Sequence, residues 1–372
     1  MTYIHQRPKW PDLVWDAGAL TARLAGVRHK QGRLLGRMDQ MGFELRVEAS
    51  LTTLVSDVVK SSAIEGEVLN PDQVRSSIAK RLGLDAGGLP EAERDVDGIV
   101  DVMLDATQQF DGPLRRERLF GWHAALFPTG RAGLRRIAVG SWRPMGSDPM
   151  QVVSGPIGKE RVHYEAPTTD RLDAEMGAFL DWFESSAVVD SVLRAGVAHF
   201  WFVTIHPFED GNGRIARAIA DLALARSDHS KERFYSMSTQ IELERKEYYA
   251  QLERAQRGDV EITAWLAWFL GCLERAIDAA DGSLTAVLGK ARLWDQINRK
   301  PVNERQRKVI NLLLGNFVGV LTTSKYAKLT KCSADTALRD ISALLRRHVL
   351  EQNEGGGRST SYRLGVAELV RE

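Results

Sequence analysis

The stretch His206-Pro-Phe-Glu-Asp-Gly-Asn-Gly-Arg-Ile-Ala-Arg217 brings together residue types that phosphate chemistry needs. Gly211-Asn212-Gly213 can adopt positive φ and gather backbone N–H groups where a helix begins. Those N–H groups have no partner within the helix, and the dipole there favours negative charge, which is how an anion site is built. Arg214 and Arg217, three residues apart in the first turns, project on neighbouring positions of one face. Their planar, bidentate donors suit a polyphosphate. Asp210 offers a hard oxygen ligand of the kind that Mg²⁺ on a nucleotide accepts. His206 is the nearby side chain whose ordinary pKa, about 6.5, lies near neutrality, so it can take a proton from an attacking hydroxyl.

Each feature has a plainer reading when taken alone. Gly-Asn-Gly is a common turn, a lone histidine is often structural, and arginines near a helix start often pair with carboxylates. The two arginines nevertheless oppose the usual preference for acidic residues at a helix N-terminus, and a buried phosphate resolves that conflict. Further upstream, Ser61 and Glu65 are i and i+4 on one helix face, so both can point into the same site. His199 and His206 are seven apart with no third ligand at zinc spacing, which argues against a transition-metal site.

The elements that must position these groups are mostly helical. Apolar periodicity predicts helices over Trp15–Asp39, Glu44–Lys60, Ala92–Thr107, Arg115–Leu126, Thr169–Ser185, Ser191–Thr204, Ile241–Arg257 and Ile262–Ala280. Gly66 suits a C-cap after the second, and Asn70-Pro71 opens the next turn. Apolar Phe200–Val203 ahead of the polar loop and an Ala/Ile/Leu run behind it predict two buried helices holding the loop between them. Met150–Ser154 and Arg161–Tyr164, flanking Gly155-Pro-Ile-Gly158, predict a β-hairpin. The tryptophans at 182, 201, 265 and 268 sit in apolar surroundings and read as core.

Arg299–Asn303 reads as a linker to a tail in which residues 300–372 hold 13 Lys and Arg against 7 Asp and Glu. That tail predicts helices over Glu304–Leu314, Thr323–Leu329 and Ala334–Arg347, then two short strands around the turn Gly355-Gly-Gly-Arg358, a winged helix-turn-helix pattern. Composition bounds the rest. The 372 residues, 44% hydrophobic and 27% charged, are those of a globular chain of two or three domains. A net charge of +1 carries no whole-chain signature of a nucleic-acid or membrane binder. Two cysteines, Cys272 and Cys332, exclude a disulfide scaffold and fit a reducing compartment. The N-terminus lacks a signal-peptide core, and the greasiest run, Ile262–Leu273, is too short to span a bilayer, so the expected location is cytoplasmic.

The segment 206–217 resembles, at every fixed position, the signature His-Pro-Phe-x-(Asp/Glu)-Gly-Asn-Gly-Arg-x-x-Arg of the Fic family, mostly helical enzymes that transfer AMP from ATP to a protein hydroxyl. Ser61-Ser-Ala-Ile-Glu65-Gly66 is similar to the family's inhibitory pattern (Ser/Thr)-x-x-x-Glu-(Gly/Asn). The resemblance implies a mainly α fold: a helical extension over 1–44, a Fic-type core over 45–298 with an inhibitory helix near 61–66 and a β-hairpin flap near 150–165, and a winged helix over 299–372. It implies that His206 is the general base toward a Ser, Thr or Tyr hydroxyl and that Asp210 holds Mg²⁺. Gly211, Asn212 and Gly213 would form the anion hole for the α- and β-phosphates of ATP, with Arg214 on the β- and Arg217 on the γ-phosphate. Tyr248 and Gln256 would line the adenine pocket, Gln256 standing where other members often carry Asn. Val162 and His163 would lie along the target chain. Glu65 would pair with Arg217 and leave ATP in an unproductive pose.

Three functions follow as expectations. The first is a self-inhibited protein adenylyltransferase that also modifies itself. The second is a hydrolase that removes AMP at the same site. The third is a DNA-binding regulator with a nucleotide-sensing core, in which Arg339, Arg346, Arg347 and Arg358 meet phosphates while Asp335 and Asp340 on the same helix oppose it. A homodimer is left open by the sequence, as is the identity of the target protein.

Overall fold

The computed structural model describes residues 2–84, 89–145, 150–155, 159, 161–185, 189–298, 300–314, 320–353 and 360–365. Helix α1 (Ala17–Asp39) starts at Asp16, whose carboxylate accepts from the Ala19 amide at 3.0 Å. Helix α2 (Phe43–Ile64) runs a turn past Lys60, where the sequence placed its end, because Ser61–Ile64 contains no breaker. It stops at Gly66, whose φ of +89° only glycine adopts freely. Asn70 caps α3 (Pro71–Arg81), with proline where no amide is needed. Helices α4 (Arg94–Gln108) and α5 (Arg116–Leu126) follow, then a short antiparallel ribbon, β1 (Arg131–Ala132) and β2 (Arg135–Arg136).

The expected hairpin is present as β3 (Gln151–Ser154) paired antiparallel with β4 (Arg161–Glu165). The register pairs Val152 with Tyr164 and Val153 with Val162, so His163 is the extra residue of a β-bulge. The turn at Pro156–Gly158 lies outside the described residues. After α6 (Leu172–Glu184), α7 (Ser191–Ile205) and α8 (Asn212–Asp228), the helix expected over 241–257 is two, α9 (Met237–Leu243) and α10 (Arg245–Gln256). The break falls at Glu244, whose φ of −105° and ψ of 22° are not helical and whose carboxylate lies 2.5 Å from Arg275. Helix α11 spans Thr263–Asn298, well beyond Ala280.

The chain divides into two compact units, Met1–Asp281 and Gly282–Glu372. This division falls earlier than the 298/299 boundary expected, within α11. In the first unit α7 packs closely on α8, α6 covers α7, and α4 and α5 lie on α8. Phe200, Phe202 and Ile205 are fully buried, and truncating any one to Ala removes roughly 2–5 kcal/mol. Helix α2 packs on α3, α9 and α8, which delivers its C-terminus beside the start of α8.

The second unit contains α12 (Glu304–Leu314), β5 (Leu321–Thr322), α13 (Thr323–Thr330), α14 (Ala334–Leu345), β6 (Leu350–Gln352) and β7 (Ser361–Leu364). Its sheet order is β5-β7-β6, over a core that includes Ile310, Tyr326, Ile341 and Leu344. Arg358 and the glycine turn lie outside the described residues. Asp340 does not oppose a ligand on the exposed face of α14. It is buried, 2.8 Å from Arg305, 2.9 Å from Asn303 Nδ2 and 3.2 Å from the Tyr326 hydroxyl. Among the described residues no helix is long and apolar enough to cross a membrane.

Candidate active site

The 206–217 segment forms the turn between α7 and α8. His206 is the C-cap of α7 with φ +51°, a left-handed conformation that costs a non-glycine residue energy and is held here by its surroundings. Arg143 supplies much of that hold, its Nε donating to the His206 carbonyl at 3.0 Å and its amide donating to the Pro207 carbonyl at 2.9 Å. His206 Nδ1 lies 3.2 Å from the Val203 carbonyl oxygen. A carbonyl only accepts, so Nδ1 carries the proton and Nε2 keeps its lone pair. Burial holds the imidazole below its ordinary pKa of 6.5, so this neutral form prevails at neutral pH.

Asn212 staples the loop from within. Its Oδ1 accepts from the Phe208 amide at 3.0 Å and its Nδ2 donates to the Phe208 carbonyl at 2.8 Å. Its oxygen and one of its two amide hydrogens are thus spent on shape, leaving mainly backbone N–H groups for an anion. Gly211 caps α8 with φ +80°, and a Cβ there would lie 2.9 Å from Phe127 Cε2. Asp210 is exposed at the mouth, its Oδ1 accepting from the Gly211 amide at 2.6 Å. Beneath it, His123 stacks on Phe208 with ring centroids 4.2 Å apart and reaches the Asp210 carbonyl with Nε2 at 3.2 Å.

Both arginines are buried and both meet carboxylates from the end of α2. Arg217 Nη2 lies 2.8 Å from Glu65 Oε1 and 2.8 Å from the Ser61 carbonyl, and its Nε donates to the Ser61 hydroxyl at 2.9 Å. Arg214 Nη1 lies 2.7 Å from Glu67 Oε2, with its guanidinium 5.1 Å from the Phe127 ring centroid. Arg214 Nε and Arg217 Nη1 are buried with no hydrogen-bond partner. A Cβ on Gly213 would lie 2.1 Å from Glu65 Oε1, so the carboxylate presses directly on the glycine loop. Ser61, Glu65, Gly213 and Arg217 therefore converge with Arg214 beside them, Gly211 and Asn212 shape the turn, and Gly66 follows Glu65 with open space around it.

The remaining predicted residues sit around this centre. Tyr248, buried on α10, is hydrogen-bonded to His199 Nε2 at 2.9 Å, and Gln256 Nε2 donates to the Thr204 hydroxyl at 3.3 Å. The Val162 and His163 carbonyls accept from Arg257 at 3.0 and 3.2 Å. The His163 ring is held between Glu253 Oε2 at 2.8 Å and the Ser154 hydroxyl at 2.6 Å. Among the described residues no three His, Cys, Asp or Glu side chains converge on a metal position. Glu67, His123 and Arg143 escaped sequence reasoning. Only Glu67 carried a signal, standing two residues past Glu65 as a second acid at the same helix end.

Comparisons with known proteins place this geometry. The arrangement of helices matches the crystal structure of a Fic family protein from Desulfovibrio desulfuricans G20 at a TM-score of 0.53 and 21% identity, covering 94% of this chain and 96% of that one. It also matches a Fic domain containing signaling protein from Bacteroides thetaiotaomicron at a TM-score of 0.50 and 19% identity, over 70% and 98%. The fold is that of Fic proteins.

Residues 113–224 match the Fic/DOC family, and residues 3–84 match a domain of unknown function, DUF4172. The chain carries a Fic domain. It is 33% identical over 121 residues to a protein adenylyltransferase Fic from Nematostella vectensis, covering 32% of this chain and 26% of that protein. It is 27% identical over 205 residues to protein adenylyltransferase fic-1 from Caenorhabditis elegans, covering 55% and 37%. The chain thus spans well under half the length of these curated relatives.

Proposed function

We propose that this protein transfers AMP from Mg·ATP to a hydroxyl side chain of a protein, itself included, and restrains that activity with its own Glu65. The observation that carries the reading is the Glu65–Arg217 pair at 2.8 Å beside a histidine whose Nε2 is free to accept a proton. Nε2 of His206 takes the hydroxyl proton as the oxygen attacks the α-phosphorus. The bond from that phosphorus to its bridging oxygen breaks, and pyrophosphate leaves with the electron pair. Backbone amides at 211–213 and the Arg214 guanidinium would face the charge that develops.

Asp210 fits a Mg²⁺ ion carried by the nucleotide, since one exposed carboxylate plus phosphate oxygens and water satisfies that ion without a protein cage. When bound, the metal would neutralise phosphate charge. Tyr248 and Gln256 would face the adenine side, and the hairpin residues Val162 and His163 would run along the target.

Glu65 occupies Arg217 and Glu67 occupies Arg214, so both cations that would seat the β- and γ-phosphates are engaged by the protein's own acids. The second unit supports a winged-helix reading, with Lys325, Lys328, Lys331 and Arg339 exposed or half-exposed on α13, the following turn and α14. Intact-mass analysis after incubation with ATP and Mg²⁺ tests the main reading. Glu65→Gly should gain one or more adenylyl groups, wild type fewer, and Glu65→Gly/His206→Ala none. Labelling that survives loss of His206 would refute the base. Stripping of AMP from a modified target by wild type alone would instead favour hydrolysis.

A further inference from the structure

The hairpin β3–β4 has almost no core of its own. Tyr164 is the one buried residue described in its two strands, and two-stranded ribbons in water are marginal. Besides the Arg257 and Glu253 contacts to its second strand, a further support comes from the N-terminal segment. Tyr3 packs edge-on against Tyr164 with ring centroids 5.2 Å apart, and these two rings with Ala166 form a small separate cluster against Met150 and Val152.

The Tyr164 hydroxyl ties that cluster to the catalytic turn. It donates its single hydrogen to the Thr204 carbonyl at 2.7 Å and lies 3.0 Å from His5 Nδ1. With the tyrosine hydrogen spent, His5 Nδ1 must be the donor in that contact. Burial lowers the His5 pKa to about 4, so the ring is neutral with one N–H to give. Thr204 and Val203 are consecutive residues of the last turn of α7. The Val203 carbonyl receives His206 Nδ1, and the Thr204 carbonyl receives Tyr164. The His206 ring and the hairpin are therefore pinned to adjacent carbonyls of one turn.

The segment carrying Tyr3 and His5 is itself anchored. Trp10 Nε1 donates to Glu175 at 2.7 Å, Arg7 Nε donates to the Gly258 carbonyl at 3.1 Å, and Arg171 reaches the His5 carbonyl at 3.4 Å. A phenylalanine would fill the Tyr164 site equally well if packing were the whole purpose.

We propose that Tyr164 is a positioning residue for the transfer step, holding the hairpin at a fixed height over His206, and that the N-terminal segment Tyr3–Trp10 serves to hold Tyr164. This rests on the adenylyl-transfer reading and assigns a role to the start of the DUF4172 segment. Target hydroxyls lying along the hairpin would reach Nε2 only when Tyr164 is tied.

The test compares Tyr164→Phe and Tyr3→Ala, each in a Glu65→Gly background, with Glu65→Gly alone. Hydrogen–deuterium exchange of amides 161–165 should accelerate at least tenfold in both, with α8 amides unchanged. Nucleotide Kd should stay within twofold, while self-modification at saturating ATP falls at least tenfold. Unchanged exchange, or faster exchange with a transfer rate within twofold of the parent, overturns the proposal. If Glu65→Gly itself transfers nothing, the adenylyl-transfer reading fails instead. The ¹⁵N resonances of the His206 ring then decide the positioning role: a shift in Tyr164→Phe supports it, and no shift overturns it.

Discussion

Arg214 Nη1 lies 2.7 Å from Glu67 Oε2, and Glu67 stands only two residues beyond the Glu65 that holds Arg217. One short segment after α2 thus engages both arginines of the loop. Freed of its carboxylate, Arg217 should bind nucleotide more tightly. A charge-assisted contact of about 1.5–3 kcal/mol corresponds to roughly a 10- to 100-fold gain in Mg·ATP affinity for Glu65→Gln. Glu67 is about half exposed (48%), so Glu67→Gln should gain only a few-fold. Isothermal titration of both single variants and the double variant measures this; no change in either single variant would remove the two-acid brake.

The rate of transfer should keep its alkaline-side value to pH below 6.5. Burial favours the neutral His206 imidazole, so its acid limb lies on the acidic side of the ordinary histidine value. Replacing His206 by Ala should cost about 10²–10⁴-fold at every pH, the usual worth of a positioned base. A limb centred above pH 7 in the Glu65→Gly background would contradict this assignment.

Stability should fall on mild acidification. Burial lowers His5 and His123 to about 4 and His199 to about 3, against 6.5 when unfolded. Between those values the unfolded chain binds protons that the native chain does not, so stability rises with pH up to about 6.5. It drops as pH falls from 6.5 toward 4, by at most about 1.4 kcal/mol per pH unit for each histidine. Urea midpoints at pH 7, 6 and 5 should show the slope, and His123→Asn should flatten it.

Arg233 should be among the costliest residues to remove. It is fully buried, 2.8 Å from Asp221 and 3.5 Å from Asp228, with its guanidinium 4.6 Å from the Tyr235 ring centroid. Burial, then the nearby Asp57 of α2, pushes the Asp221 carboxyl well above its usual range, and Arg233 is the cation bonded to it directly. Arg233→Met should cost about 3–5 kcal/mol by urea denaturation, and Arg233→Lys should restore little, lacking the fork that spans two acids.

The contiguous part of the site was legible because its chemistry lies within twelve residues, where spacing alone fixes which side chains share a face. The buried supports were not. His123 meets a carbonyl 87 positions away and Tyr164 one 40 positions away, and neither carries any local periodicity or motif that marks the partner. Helix ends show the same limit. Gly66 marked a stop and the Ser61–Glu65 spacing already implied a helical turn, yet apolar periodicity alone placed the end of α2 a turn early at Lys60, and the break at Glu244 carries no glycine or proline to mark it. Tryptophan placement was mostly readable: Trp201 and Trp265 are buried, while Trp182 stays half-buried beneath Arg194.

Ser61 gives Arg217 both its hydroxyl and its carbonyl, whereas Glu65 gives a single side-chain oxygen from the C-cap of α2. On the proposed reading, freeing Arg217 for a phosphate would consequently need only a rotamer swing of one acid, with the Ser61 contacts still holding the guanidinium. Such a latch would flicker on the nanosecond scale of side-chain hops rather than the millisecond scale of domain movement, leaving molecular dimensions untouched.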